Sequence, residues 1–345
     1  IAAGAAAGLA AGFTTPIAGV LFVIEELMRD VSGLTLETAI VASFTGAVVS
    51  QILQSSTFNF PSSLLDLPDI AFSASEIPFY LLLGILAGIL GALFNRGLLL
   101  SVKIQKYLNL PLSWRIGLMG MASGLIIAIL PPFFRDNTGL RIDLVQGELE
   151  WSRILLAFVA HFFLTILAYS ANTPGGLFGP ALVLGSALGY LVGDFEELLT
   201  GTGTETTYAL AGMGAFFTAV VRVPVTAIVF VFELNTNFNI VLPLMVTCAV
   251  SYIVAESVSK GSLYEHMLKA RGIYINEGAT GQDFLSKLTA SEVMQSQVET
   301  LSSDFTLDDV LQAMSASSHR GFPVLAEGQL VGIVTQTDLA KLKKV

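Results

Sequence analysis

The feature that most constrains this chain is a set of long apolar windows, each long enough to cross a lipid bilayer. A membrane-spanning helix needs about 20 predominantly apolar residues to cover a hydrocarbon core of about 30 Å. Five windows meet that length: Leu34 to Leu53, Pro78 to Val102, Trp114 to Phe134, Trp151 to Ser170 and Ile240 to Val258. The sequence therefore predicts an integral, multi-pass membrane protein.

The charge content excludes several classes of function. Only 13% of the 345 residues are charged and the formal net charge is -10, so the chain has no basic stripe that could neutralise nucleic-acid phosphates. A single cysteine, Cys248, excludes a disulfide framework and a thiolate metal site. The three histidines, at positions 161, 266 and 319, lack the helical spacing of a zinc site, and no metal site is predicted.

Two apolar runs are too short to span a membrane. Pro16 to Ile24 and Pro224 to Phe232 have nine residues each, and each begins at proline and is followed by glutamate. Broken helices at membrane depth are tolerated only inside the protein or along a cavity, and in transporters they mark the substrate site. These runs predict two half-helices near a transport site.

An internal repeat relates the two short runs. The stretch from Gly4 to Glu25 aligns without gaps to the stretch from Gly212 to Glu233, at a constant offset of 208. Repeated halves of this kind build many secondary transporters. The residues alone do not establish whether the second copy is inverted. The identical pairs are Gly4/Gly212, Ala7/Ala215, Ala11/Ala219, Pro16/Pro224, Phe22/Phe230, Val23/Val231 and Glu25/Glu233.

The segment Gly176-Leu177-Phe178-Gly179-Pro180 is the candidate anion site. Its glycines leave backbone N–H groups uncovered, and we expect a helix to start at Pro180, because proline suits a first helical turn. Free N–H groups at the positive end of a helix dipole bind anions without a basic side chain. An ordinary Gly/Pro connection between two membrane helices is the alternative from the residues alone.

Two carboxylates and one tyrosine are further candidates. Glu25 and Glu26 end the first short run and point about 100° apart on an α-helix, so we expect one of them to be structural. Each lies within reach of Arg29, and Glu26 is either a proton relay or an interfacial charge. Tyr264 follows the last apolar window, where its hydroxyl either donates to an anion or lies in an aromatic belt.

These motifs resemble the CLC family of chloride channels and proton-coupled anion exchangers. The resemblance implies that the amides of Leu177 and Phe178 and the hydroxyl of Tyr264 hold a chloride ion. It also implies that Glu26 is the internal proton-transfer residue. Because the family's channels typically lack a carboxylate there, the resemblance favours a proton/chloride antiporter over a passive channel, which is the alternative.

The resemblance implies an all-α membrane fold with inverted halves and broken half-helices, and a homodimer with one pore per subunit. The family's GSGIP and GREGP motifs are absent from this sequence, so we expect the front of the membrane domain to lie upstream of it; the first of these motifs bears on the choice between chloride and nitrate. The ranges that correspond to the dimer interface are Pro16 to Glu26, Leu36 to Leu53, Pro224 to Leu234 and Val241 to Val258.

The sequence becomes more polar in the tail, and its pattern there predicts a small α/β module. A capping box at Thr306-Leu-Asp-Asp309 opens an amphipathic helix with Val310, Leu311 and Met314 on one face. Two strands, 322–325 and 329–335, and a helix from Leu339 follow. This stretch resembles a CBS domain, which implies a cytoplasmic tail and adenine-nucleotide binding through Thr335 and Asp338.

The predicted domains are a membrane domain over 1–264, a linker over 265–287 and a single or partial CBS domain over 288–345. No cofactor is required for transport, and the chain is not expected to be an enzyme. A membrane metalloprotease is disfavoured because no HExxH motif occurs. A magnesium transporter is disfavoured because the membrane part has few carboxylates beyond Glu25, Glu26 and Glu233.

Overall fold

The computed structural model describes residues 1–28, 33–53, 73–108, 111–129, 150–170, 175–201, 205–270, 289, 294, 298–317 and 319–342. The chain divides into two compact units, Ile1–Ile275 and Asn276–Val345. That division falls inside the stretch predicted as a linker. Residues 265–270 of the same stretch are helical and belong to the first unit.

The first unit consists of helices joined by short turns in its described residues. The five predicted windows are helices where the structure describes them, and Pro131 to Phe134 lie outside the described residues. The α-helices are α1 (Ala2–Phe13), α2 (Pro16–Phe22), α3 (Gly33–Leu53), α4 (Ile77–Leu108), α5 (Leu112–Ile129), α6 (Trp151–Ser170), α7 (Phe178–Thr200), α8 (Glu205–Val221), α9 (Pro224–Asn235), α10 (Val241–Val258) and α11 (Leu263–Ala270). A π-helical turn (Val23–Met28) continues α2, and 3₁₀ turns cover Ala74–Glu76 and Phe238–Ile240.

Within the described residues, five segments are long and apolar enough to cross a membrane, and the described part of the predicted window Trp114 to Phe134 is shorter than that length. One of them, α7, was not among the predicted windows, because charged residues crowd its second half. It is also the most interior of the five, with 67% of its most apolar window buried against 17% for α6. The apolar residues that face outward on the other spanning helices suit lipid rather than water. Thus α7 is the central helix of the membrane unit.

The internal repeat is visible in the backbone. α1 ends at Phe13 and α8 at Val221, again 208 residues apart. The next residues, Thr14 and Arg222, both adopt the left-handed conformation, with φ of 58° and 71°. Because bulky side chains rarely adopt positive φ, the match is specific. It confirms that α1–α2 and α8–α9 are two copies of one helix–turn–half-helix motif.

Glycines bring α7 and α8 into backbone contact. A Cβ placed on Gly185, Gly189 or Gly212 would lie 2.4, 2.0 or 2.3 Å from a carbonyl oxygen of the facing helix. Those distances are shorter than any real Cβ contact, so only glycine permits the approach. Small residues at helix contacts are the usual means of close packing in membranes. The central helix is thereby fixed against the second repeat.

The second unit contains a small α/β module. Strands β2 (Gly321–Ala326) and β3 (Gln329–Thr335) pair antiparallel, and β1 (Leu301–Ser302) pairs parallel with β2. The hairpin turns at Glu327 and Gly328, whose φ values are 49° and 80°, and two successive positive φ values match the twist of a tight hairpin. The predicted strands and turn are confirmed, whereas the two-residue β1 was not predicted.

Two helices among the described residues of this unit, α12 (Leu307–Ala316) and α13 (Gln336–Leu342), belong to the same module. The predicted capping box at Thr306 and Asp309 is present, and hydrogen bonds from Thr306 lower the pKa of Asp309 below its ordinary value. The prediction that Leu311 shares the buried face is wrong, since it is 47% exposed while Met314 is buried. α13 begins at Gln336, three residues before the predicted Leu339.

Candidate functional site

The central helix α7 begins within the predicted anion motif. Leu177 is its N-cap, no side chain caps the first turn, and the amide of Ala181 donates to the Leu177 carbonyl at 3.0 Å. The helix therefore starts at Phe178, and the prediction of a start at Pro180 is wrong by two residues. Pro180 instead lies in the first turn, where its missing N–H needs no partner.

This start leaves backbone donors without intrahelical partners. The first N–H groups of any helix have no acceptor within it, and here no capping side chain supplies one. Leu177 is only 3% exposed, so its neighbourhood is inside the protein, while Gly175 and Gly176 are exposed. The residues of the motif thus run from the surface to the interior.

The aromatic ring of Phe178 lies at the meeting point of both repeats. Its centroid is 6.1 Å from Phe13, 5.1 Å from Phe22, 4.5 Å from Phe217 and 6.3 Å from Phe230. α1, α2, α8 and α9 each contribute one of these rings. Edge and tilted contacts at such distances are favourable packing geometries. The start of α7 is therefore enclosed by the two copies of the repeat.

Tyr264 reaches the same cluster from α11. Its ring centroid is 6.5 Å from that of Phe22 in an edge contact, and the half-buried side chain packs against the main core. The ring of Phe22 therefore contacts both Phe178 and Tyr264. This placement supports an interior position over an aromatic belt, while the role of the hydroxyl stays a prediction.

Glu26 is a buried carboxylate connected to the start of α11. It is 8% exposed, and its Oε1 accepts a hydrogen bond of 2.5 Å from the hydroxyl of Ser262. That same hydroxyl accepts from the amide of Glu265 at 3.2 Å. Because Tyr264 lies two residues after Ser262, one short turn holds both the carboxylate's partner and the tyrosine.

Glu25 and Glu233 cap each other's helices. The carboxylate of Glu25 accepts from the amides of Val225 and Thr226 at 3.1 and 2.7 Å, and from the Thr226 hydroxyl at 2.7 Å. The carboxylate of Glu233 accepts from the amides of Ile17 and Ala18, both at 3.0 Å. These two pairs of amides are again 208 residues apart.

The reciprocal caps determine the direction of the half-helices. Each carboxylate lies at the end of one half-helix and caps the start of the other, so α2 and α9 run antiparallel. A carboxylate at a helix N-terminus interacts favourably with the helix dipole. Glu25 and Glu26 therefore face different environments, as predicted, and Glu25 is structural. Glu233 is likewise a structural cap, at the start of α2, and Arg29 lies outside the described residues.

Sequence reasoning missed Arg222, a buried cation that holds the end of α10. Its guanidinium donates to the carbonyls of Ala255 and Ser259 at 2.6 and 2.7 Å, and its Nε lies 3.2 Å from a Glu256 oxygen. Glu256 also accepts from the amide of Gly261 at 3.2 Å. This network positions the turn before Tyr264. The signal in the sequence was a lone arginine between apolar runs.

Comparison with known proteins identifies the family. The family model described as "Voltage gated chloride channel" matches residues 1–256, which is most of the chain. This chain belongs to the voltage-gated chloride channel family. A CBS domain matches residues 290–344.

Two curated relatives in this family carry the name H(+)/Cl(-) exchange transporter ClcA. The protein from Vibrio parahaemolyticus is 30% identical over 279 residues, and the one from Cronobacter sakazakii is 35% identical over 278. Each match covers 78% of this chain and 58% of the relative. The chain thus spans less than two thirds of the length of these relatives.

Solved structures show the same fold. A slow cyanobacterial Cl-/H+ antiporter matches with a TM-score of 0.66 at 28% identity, over 78% of this chain and 64% of that one. A eukaryotic CLC transporter matches with a TM-score of 0.67 over 99% of this chain and 60% of its own. At 22% identity, the second likeness bears on the fold alone. The CLC fold, with its broken half-helices, is confirmed.

The predicted nucleotide residues of the CBS domain bind each other. The carboxylate of Asp338 accepts from the amide and the hydroxyl of Thr335 at 3.1 and 2.6 Å, and the amide of Asp338 donates back to that hydroxyl at 3.4 Å. Thr306 and Asp309 make the same three bonds. The pair therefore forms a second capping box, and nucleotide binding stays a prediction.

Proposed function

We propose that the protein exchanges chloride for protons across a membrane. The observation that carries the proposal is Glu26, a buried carboxylate hydrogen-bonded to the turn that bears Tyr264. A carboxyl group in the interior of a membrane protein is a functional candidate by default. Relatives named as H(+)/Cl(-) exchange transporters support the same choice.

Chloride binds, in this proposal, at the start of α7. The donors are the backbone amides of Leu177 and Phe178, with Gly176, Gly179 and Pro180 shaping the backbone around them, and the hydroxyl of Tyr264. The first turn of α7 has no side-chain cap, which supports this assignment, because the free N–H groups of an uncapped helix start are available to an anion. No cofactor is needed, since the helix terminus supplies the positive potential.

The Tyr264→Ala variant is expected to bind chloride about tenfold or more weakly than wild type, because a hydrogen bond to a charged group contributes about 1.5–3 kcal/mol. Isothermal titration calorimetry on the full-length gene product measures this affinity. Tyr252→Ala is the matched control, since Tyr252 lies on α10 with its side chain 37% exposed. Equal affinities of wild type and Tyr264→Ala would remove Tyr264 from the site.

Wild-type protein in liposomes is expected to move protons against chloride. Chloride efflux down its gradient drives protons in the opposite sense in an exchanger, and it proceeds without them in a passive channel. Simultaneous recording with a chloride electrode and a pH electrode distinguishes the two. Chloride efflux with no accompanying proton movement would make the protein a channel of the same family.

We further propose a homodimer in the membrane with the CBS domain in the cytoplasm. The ranges matched to the family's dimer interface expose several large apolar side chains, namely Ile17, Val41, Phe44, Val225, Leu242 and Met245. These apolar side chains would pack against a second copy of the chain in the dimer.

Adenine-nucleotide binding by the CBS domain would require Thr335 and Asp338 to give up their mutual hydrogen bonds and bind a ribose instead. A nucleotide titration that produces no heat would exclude such binding.

A further inference from the structure

A buried serine contacts the carboxylate of the proposed transport site and lies close to its tyrosine in the chain. Ser262 directly precedes α11 and is only 1% exposed. Its hydroxyl donates to Glu26 Oε1 at 2.5 Å, and Tyr264 follows two residues later. Ser262 therefore connects the residue proposed to transfer protons with the turn that bears the residue proposed to bind chloride.

The start of α11 determines where the hydrogen of this hydroxyl points. The Ser262 Oγ accepts from the amide of Glu265 at 3.2 Å, and the Ser262 carbonyl accepts from the amide of His266 at 3.2 Å. These two bonds are those of a serine N-cap. A hydroxyl has a single hydrogen. Because the Glu265 amide supplies the hydrogen of its own bond, that of Ser262 is left to donate to Glu26.

Contacts of the preceding residues hold this serine in place. Gly261 has a φ of 86°, and its amide donates to Glu256 at 3.2 Å. Glu256 in turn lies 3.2 Å from the Nε of Arg222. A Cβ on Gly261 would lie 2.8 Å from Glu265 Oε2, so this residue is confined as well. These contacts fix the Ser262 hydroxyl independently of the carboxylate that it contacts, as a preorganised site requires.

The helix cap alone does not account for the bond between Ser262 and Glu26. Capping requires only an acceptor, which asparagine, aspartate and threonine also supply. The donated hydrogen is additional, and a distance of 2.5 Å lies at the short end of the range for a hydroxyl bound to a carboxylate. Bonds of this kind are among the stronger hydrogen bonds in proteins, so this one restrains the orientation of the Glu26 carboxyl group.

We infer that Ser262 is a positioning residue for proton transfer at Glu26. The inference rests on the proposed function, in which Glu26 carries the protons that are exchanged for chloride. Proton transfer requires donor and acceptor to lie within hydrogen-bond reach, and a misplacement of about 1 Å can lower a rate about a hundredfold. The Ser262 hydroxyl keeps one oxygen of Glu26 directed at the turn that bears Tyr264.

The test records chloride and proton movement together in liposomes that contain full-length wild type, Ser262→Gly or Ser262→Thr. Glycine at an N-cap costs little stability relative to serine, so Ser262→Gly removes the hydroxyl and keeps the helix start. We expect its proton movement per chloride to fall about tenfold, the factor typical of one lost hydrogen bond to a charged group. Chloride efflux and the unfolding temperature are expected to stay close to wild type. Ser262→Thr restores a hydroxyl and is expected to restore proton movement.

Ser257→Ala is the matched control. Ser257 is an exposed residue of α10 whose hydroxyl donates to the Ile253 carbonyl at 2.8 Å. The variant therefore also loses one serine hydroxyl, but that hydroxyl contacts only its own helix. We expect it to move chloride and protons as wild type does.

Three results would overturn the inference. The first is wild-type proton movement per chloride in Ser262→Gly. The second is a Ser262→Thr variant as impaired as Ser262→Gly, because the hydroxyl would then not be the group that matters. The third is a lowered unfolding temperature of Ser262→Gly with equal losses of chloride and proton movement, because Ser262 would then be only a helix cap. If Ser262→Gly does not fold, Ser262→Ala takes its place under the same criteria.

The same recordings separate this inference from the proposed function. Chloride efflux without proton movement in wild type would contradict the proposed function itself. Coupled exchange in wild type that Ser262→Gly leaves unchanged would remove only the role of Ser262.

Discussion

The Gly189→Ala variant unfolds at a markedly lower temperature than wild type, because the added methyl group would lie 2.0 Å from the Tyr208 carbonyl oxygen and 2.9 Å from the Ala209 Cα. Both neighbours are backbone atoms, so no side chain can rotate away. Overpacking of a tight core destabilises by about 1–3 kcal/mol, occasionally more, and we expect the upper end here. The displaced helix is α7, which carries the anion motif.

Thermal unfolding in detergent, followed by the loss of monodisperse protein, measures this effect. Gly124→Ala is the matched control, since Gly124 lies inside α5 with nothing within 4 Å of an added Cβ. Alanine is favoured over glycine in a helix interior by roughly 0.5–1 kcal/mol, so the control is expected to match or exceed wild-type stability. Equal unfolding temperatures for the two variants would refute the close contact of α7 and α8.

Loss of either reciprocal cap is expected to destabilise both half-helices. Glu25→Gln removes a charge from the start of α9, and Glu233→Gln removes one from the start of α2. Loss of an N-cap lowers stability by about 0.5–2 kcal/mol. Because the two caps hold opposite ends of one antiparallel pair, the double variant is expected to lose less than the sum of the single losses.

Unfolding temperatures of the two single variants, the double variant and Glu37→Gln measure this coupling. Glu37 is an exposed glutamate on α3, and its change to glutamine is expected to have little effect. If the decrease in unfolding temperature of the double variant equalled the sum of the two single decreases, the two caps would act independently. A Glu25→Gln variant as stable as Glu37→Gln would show that the cap contributes nothing.

Much of the membrane fold was predictable from residues, because apolar length and small-residue repeats are local properties of a sequence. The offset of 208 predicted matched half-helices, and Phe13 and Val221 end the matched helices as that offset requires. The offset did not reveal that Glu25 and Glu233 exchange caps, since a cap between elements 200 residues apart depends on tertiary packing.

Other features escaped sequence reasoning for physical reasons. The central helix α7 carries Asp194, Glu196 and Glu197 near its end. Because of these charges, its sequence was not recognised as an apolar window long enough to span a membrane. Arg222 adopts a positive φ and turns inward to hold carbonyl groups, which no local pattern signals. Leu311 is exposed because the packing partners of a short helix, rather than its periodicity alone, decide which positions are covered.

Coupled exchange through Glu26 is tested most directly by proton movement during chloride efflux from liposomes that contain Glu26→Gln, recorded beside wild type and Glu37→Gln. We expect wild type and Glu37→Gln to move protons against chloride, whereas Glu26→Gln still moves chloride and its proton movement falls to the level of protein-free liposomes. If Glu26→Gln moved as many protons per chloride as wild type, Glu26 would not be the proton relay and would be only a buried structural partner of Ser262.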